Sequence, residues 1–125
     1  MSTDQRLFAL RGATSVQANT EQAILDATEL LMRGLIERNA LEPERIVSCI
    51  FTVTAYLDAS FPAVAARRLG LDHVPLLCAR EIDVPGSLHA VIRVLMHYYA
   101  PADHEARHVY LGEARSLRAD LDAAQ

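Results

Sequence analysis

Apolar and polar positions change period several times along the chain. Between residues 20 and 38, Ile24, Thr28, Leu31 and Leu35 recur at helical spacing, which marks one helix face for burial. Asn19 or Thr20 supplies the N-cap, and Asn19 with Gln22 has the form of a capping box. Upstream, residues 6–10 (RLFAL) predict a short buried strand, followed by Arg11-Gly12-Ala13-Thr14. Pro43 suits the first turn of a short helical piece. Residues 46–54 (IVSCIFTVT) are dense in β-branched side chains and predict a strand. Phe61-Pro62 opens a second helix, and Gly70 is a fitting left-handed stop.

Further strands are predicted over residues 74–79, 91–99 (VIRVLMHYY) and 108–111 (HVYL). Val84-Pro85-Gly86 reads as a turn, and residues 87–90 as a helical turn. Pro101 ends the long strand, and a helical or loose tail closes the chain. Four or five strands with two main helices make the α+β class the expectation. No repeat, low-complexity tract or linker interrupts the pattern, so residues 1–125 are expected to form a single domain.

Composition narrows the chemistry. All 12 basic residues are arginine. The lack of lysine excludes a Schiff-base lysine, a phosphate-loop lysine and a serine–lysine dyad. A net charge of −4 argues against nucleic acid or an anionic membrane as the main partner. It leaves room for a small anion, provided arginines cluster locally. Two cysteines, Cys49 and Cys78, do not make a disulfide framework, so reduced thiols in a cytoplasm are expected. The first residues show no secretory signal, and no run approaches the roughly 20 apolar residues of a membrane span.

The oddest residue is Arg93, set among Val91, Ile92, Val94, Leu95 and Met96. Burying it is costly unless it is paired or bound to an anion; the alternative is a strand with one wet face. Arg11 raises the same choice before the small residues Gly12 and Ala13. Arg67 and Arg68 lie on the second helix, where a solvated face would accommodate both. Glu81 and Asp83 form either a carboxylate pair or part of a charged loop. Cys78 has no flanking signature of a nucleophile and fits a buried thiol. His104 and His108 have a metal-compatible spacing but no third clustered ligand. Tyr98, Tyr99 and Tyr110 carry hydroxyls that need partners if buried. Together these residues suit a site for an anionic small molecule, without naming a reaction.

The order and spacing of several fragments do carry a resemblance. They are Arg11-Gly12-Ala13-Thr14; Phe61-Pro62-Ala63 with Arg67; and Val74-Pro75 leading to Cys78, Glu81, Asp83-Val84 and Gly86. Ile92-Arg93-Val94, Arg107-His108-Val109-Tyr110-Leu111 and Leu117-Arg118-Ala119-Asp120-Leu121 complete the set. Over about residues 8–121 the chain resembles the bacterial monofunctional chorismate mutases of the AroH type.

The resemblance implies a pseudo-barrel homotrimer, with mixed sheets inside, helices on one side facing out, and active sites at subunit interfaces. It implies the [3,3] rearrangement of chorismate to prephenate, without cofactor or metal. By match to the family's motif, Arg93 faces the breaking ether oxygen. Arg11 and Tyr110 hold the enolpyruvyl carboxylate, and Glu81 accepts from the ring hydroxyl, near Cys78. Phe61 and Ala63 form apolar walls. Arg67 lies near the ring carboxylate, and Arg118 belongs to a mobile tail from about residue 115.

Two departures stand out: Val64 where family members can carry lysine, and Leu77 where threonine can occur. The competing functions are a trimeric small-carboxylate enamine/imine hydrolase and a non-catalytic metabolite-binding module. The Cys78-to-Glu81 spacing and the RHVYL segment favour the mutase over the first, and the presence of Arg93 counts against the second.

Overall fold

The computed structural model describes residues 4–117. Its elements run β1 (Gln5–Ser15), α1 (Glu21–Arg38), β2 (Ile46–Val53), α2 (Ala63–Arg68), β3 (Leu76–Arg80), β4 (Val91–Pro101) and β5 (Val109–Leu111). The five strands make one sheet in the order β3-β2-β4-β1-β5. β4 is antiparallel to both β1 and β2, whereas β3 and β5 add parallel at the two edges. The fold is thus α+β with a mixed sheet, as the sequence predicts.

The helical stripe becomes the floor of the core. Ile24, Leu31, Met32 and Leu35 of α1 are fully buried, and each such side chain stabilises by about 1.5–3 kcal/mol on leaving water. Thr28 is buried among them, and its hydroxyl donates to the Ile24 carbonyl at 2.7 Å, so no polar group is stranded. Thr20 is the N-cap and accepts from the Ala23 N–H. The Asn19–Gln22 capping box does not form. The Asn19 side-chain oxygen instead accepts the N–H groups of Asp58 and Ala59, beyond β2.

Alternation along the strands divides the sheet into two faces. Leu10, Phe51, Ile92, Val94, Met96 and Tyr98 lie on the face beneath α1 and are buried. Their neighbours Arg11, Thr52, Arg93, Leu95 and His97 lie on the opposite, more open face. β1 is longer than residues 6–10 and is amphipathic rather than buried throughout. It continues through Gly12 because that residue sits under the helix. A Cβ there would stand 3.0–3.1 Å from the side chains of Leu35, Leu31 and Val94.

Two other local expectations change. β3 starts at Leu76, since Pro75 has no N–H for the ladder. Pro75 contributes only its carbonyl, which accepts from Cys49 N–H. Residues 87–90 are not a helical turn. The Thr54 hydroxyl donates to the His89 carbonyl at 2.6 Å and accepts the Val91 N–H at 3.0 Å, which holds that stretch open until β4 begins.

Candidate active site

The site grows from one row across the sheet. Tyr110 of β5, Ala13 of β1, Arg93 of β4 and Thr52 of β2 are register partners in sequence across the strands. Parallel or antiparallel, partners in register point to the same face, so these side chains line up on the open face. Arg11, two residues before Ala13, shares that face. Arg11, Ala13, Thr52, Arg93 and Tyr110 accordingly line a cleft of about 240 Å³. The small Ala13 leaves the space between Arg93 and Tyr110.

Arg93 is 30% exposed at its side chain and forms an ion pair with Glu81, which is 15% exposed. Nη1 donates to Oε1 of Glu81, and the Thr52 hydroxyl donates to Oε2 at 2.7 Å. The wet-strand alternative for Arg93 therefore gives way to a half-buried, paired arginine. Asp83 is exposed in the following loop and does not share this arrangement.

Tyr110 supplies the clearest sign of a ligand. Its hydroxyl oxygen is buried and has no hydrogen-bond partner among the described residues. Leaving such a group unsatisfied costs about 1–3 kcal/mol. Tyr110 lines the cleft, and a ligand oxygen that reaches its hydroxyl would remove that cost.

β5 reaches this position through two contacts. Asn39, buried at the end of α1, donates to the carbonyls of Leu35 and Arg107 and accepts the Arg107 N–H at 2.7 Å. His108 then accepts the backbone N–H of Arg11 through Nδ1 at 3.0 Å. Partial desolvation of the ring, followed by the Arg11 charge, holds His108 below the ordinary imidazole range. His104 engages elsewhere, pairing with the buried Tyr98 hydroxyl at 2.7 Å. The two histidines therefore serve different partners. No group of three metal-ligating side chains occurs among the described residues.

The remaining sequence candidates lie away from the cleft. Cys78 is half-buried and packs against the core beneath the sheet, in register with Phe51. Ala63 joins that same core, Phe61 is 69% exposed, and Arg67 is exposed on α2. Arg118 falls outside the described residues. One chain therefore carries two groups on different faces: Arg11, Arg93, Glu81 and Tyr110, and separately Phe61, Ala63, Arg67 and Cys78. Sequence reasoning passed over Thr52 and Asn39. Alternation in residues 46–54 does place Thr52 on one face with Ser48 and Ile50, but only the register reveals Arg93 opposite.

An arginine-lined cleft on the open face of a helix-backed mixed sheet defines a small α+β domain with a candidate anion site. Comparison with known proteins makes this specific. The family model for chorismate mutase type I matches residues 7–121. Chorismate mutase AroH of Thermus thermophilus is 48% identical over 118 residues, covering 93% of this chain and 97% of that protein. Its namesake from Bacillus subtilis (strain 168) is 44% identical over 115 residues, covering 90% of each. A solved chorismate mutase from Clostridium thermocellum superposes with a TM-score of 0.82 at 47% identity, covering 87% of this chain and 98% of that one. The chain belongs to the chorismate mutase type I family.

Proposed function

We propose that this chain is an isomerase that rearranges chorismate to prephenate, a step toward aromatic amino acids. The observation that carries the assignment within the family is the cleft itself. It holds two arginines and Tyr110, whose buried hydroxyl has no partner among the described residues.

Chorismate has two carboxylates and an enolpyruvyl ether, so it needs fixed cations and a fixed conformation. Arg11 and the Tyr110 hydroxyl hold the enolpyruvyl carboxylate. With that arm folded over the ring, the reacting carbons approach attack distance, which removes part of the barrier. As the C–O bond breaks, negative charge grows on the ether oxygen. Arg93 meets it with a preorganised guanidinium, binding the transition state more tightly than the ground state. Glu81 accepts from the ring hydroxyl. The rearrangement is intramolecular and exchanges no proton, electron or group, so neither metal nor cofactor is called for.

The working form is a homotrimer with the open sheet faces turned inward, and its sites lie between subunits. Two features support this. Apolar Leu7, Leu77 and Tyr99 stand about half exposed on that face. Phe61, Arg67 and Cys78 do not line their own chain's cleft, so their assigned contacts with substrate call for a second copy. Val64 leaves the region near Arg67 without the extra cation that family members can carry, so the ring carboxylate depends on Arg67 there. No helix among the described residues is long and apolar enough to cross a membrane. The free thiols of Cys49 and Cys78 suit a reducing cytoplasm.

The test follows chorismate by ultraviolet absorbance, with prephenate identified as product and no metal or cofactor added. The native protein turns over. A folded Arg93→Ala variant loses at least about 10³-fold in kcat/KM, because a charged donor aimed at the developing oxyanion is gone. Native-like turnover in that variant overturns the assigned mechanism.

A further inference from the structure

Thr52 stands on β2 directly across from Arg93 on β4. Glu81 arrives from the end of β3, where its backbone N–H donates to the Val53 carbonyl at 2.9 Å. Its carboxylate is then divided between two partners. Oε1 takes the Arg93 guanidinium, and Oε2 takes the Thr52 hydroxyl at 2.7 Å. A carboxylate facing an arginine otherwise favours a fork, in which both oxygens accept parallel N–H bonds. That fork would occupy a second guanidinium donor and turn Arg93 toward Glu81, away from the cleft.

We propose that Thr52 is a positioning residue for the rearrangement. Its hydroxyl ties back one oxygen of Glu81, keeps the Glu81–Arg93 contact single, and leaves Arg93 donors directed at the breaking ether oxygen. This role rests on the chorismate reaction proposed above. The Thr52 methyl group and backbone serve the sheet in any case; the hydroxyl is the functional part. Valine nearly reproduces the shape of threonine without the hydroxyl, and serine keeps the hydroxyl without the methyl.

The experiment measures kcat and KM for chorismate in the native protein and in Thr52→Val, Thr52→Ser, Glu81→Ala and the Thr52→Val/Glu81→Ala pair. Thermal midpoints are recorded alongside. Loss of one hydrogen bond to a charged group predicts a fall of about 10–100-fold in Thr52→Val. The fall appears in kcat with KM little changed, since the affected donor matters most in the transition state. Thr52→Ser restores most of the rate. In the Glu81→Ala background, Thr52→Val costs little more, because its effect travels through the missing carboxylate.

Native-like kcat in Thr52→Val overturns the proposal. So does an equal loss with and without Glu81, or a loss that tracks the thermal midpoint and is not rescued by serine. Absence of turnover in the native protein overturns the functional assignment, and this role with it. Native turnover with any of the other adverse results overturns the role alone.

Discussion

Arg93 illustrates how one side chain can be expensive and useful together. Half-burial costs hydration, and Glu81 offsets that cost while Thr52 shares the carboxylate. His108 is a subtler case. Its Nδ1 accepts the Arg11 N–H only while the ring is neutral there. The folded protein resists protonation of His108, whereas the unfolded chain takes up the proton near the ordinary value of 6.5. The unfolded state thus binds more protons in this range, so stability rises with pH. The contribution is complete above about pH 6.5 and is lost as pH falls through the lower folded value. Urea midpoints measured from pH 7.5 to 5 should therefore fall with pH in the native protein, and fall less in His108→Asn.

Among the elements, α1 does most to place the cleft, although its side chains do not line it. Its end is a Schellman turn: Leu41 N–H donates to the Ile36 carbonyl, and Ala40 N–H closes the inner bond by donating to the Glu37 carbonyl. Ala40 adopts φ of 49°, a conformation that disfavours any side chain. Ala40→Gly should relieve that strain. Part of the gain is offset by the freer unfolded chain, leaving about 0.5–1 kcal/mol of added stability. The denaturant midpoint should rise with an unchanged slope. Asn39, one residue earlier, clamps Arg107 and so sets where β5 begins. The periodicity of residues 24–35 made the helix legible. The Asn39 clamp was not, because its partner lies 68 residues away.

At the scale of the whole molecule, the open sheet face carries both the arginine-lined cleft and apolar surface. Leu7 and Tyr99 are cross-strand partners on it, 49% and 44% exposed. Burying this pair against other copies would supply part of the association energy of the proposed trimer. Native protein should sediment at three times the subunit mass. Leu7→Glu/Tyr99→Glu should shift it toward the monomer, because carboxylates resist burial at an apolar contact. Turnover should fall in step with the trimer population, while the far-ultraviolet dichroism of the subunit is kept. A native monomer with full activity would remove the shared site.

The elements and their class follow from local patterns, which is why helix α1, strands β2 and β4 and the stop at Gly70 were all legible in the residues. Periodicity and turn chemistry act over a few positions, and one chain displays them in full. The anomalous Arg93 was also visible, and the order of motifs linked it to a family. Tertiary structure alone decided which alternative was true of it. Register set Thr52 opposite Arg93, the end of β3 brought Glu81 between them, and β5 left the Tyr110 hydroxyl buried without a partner among the described residues. The Glu81 contacts join residues 12 and 29 positions apart. Their energies depend on geometry that no local pattern carries, and pairing across the sheet supplies it.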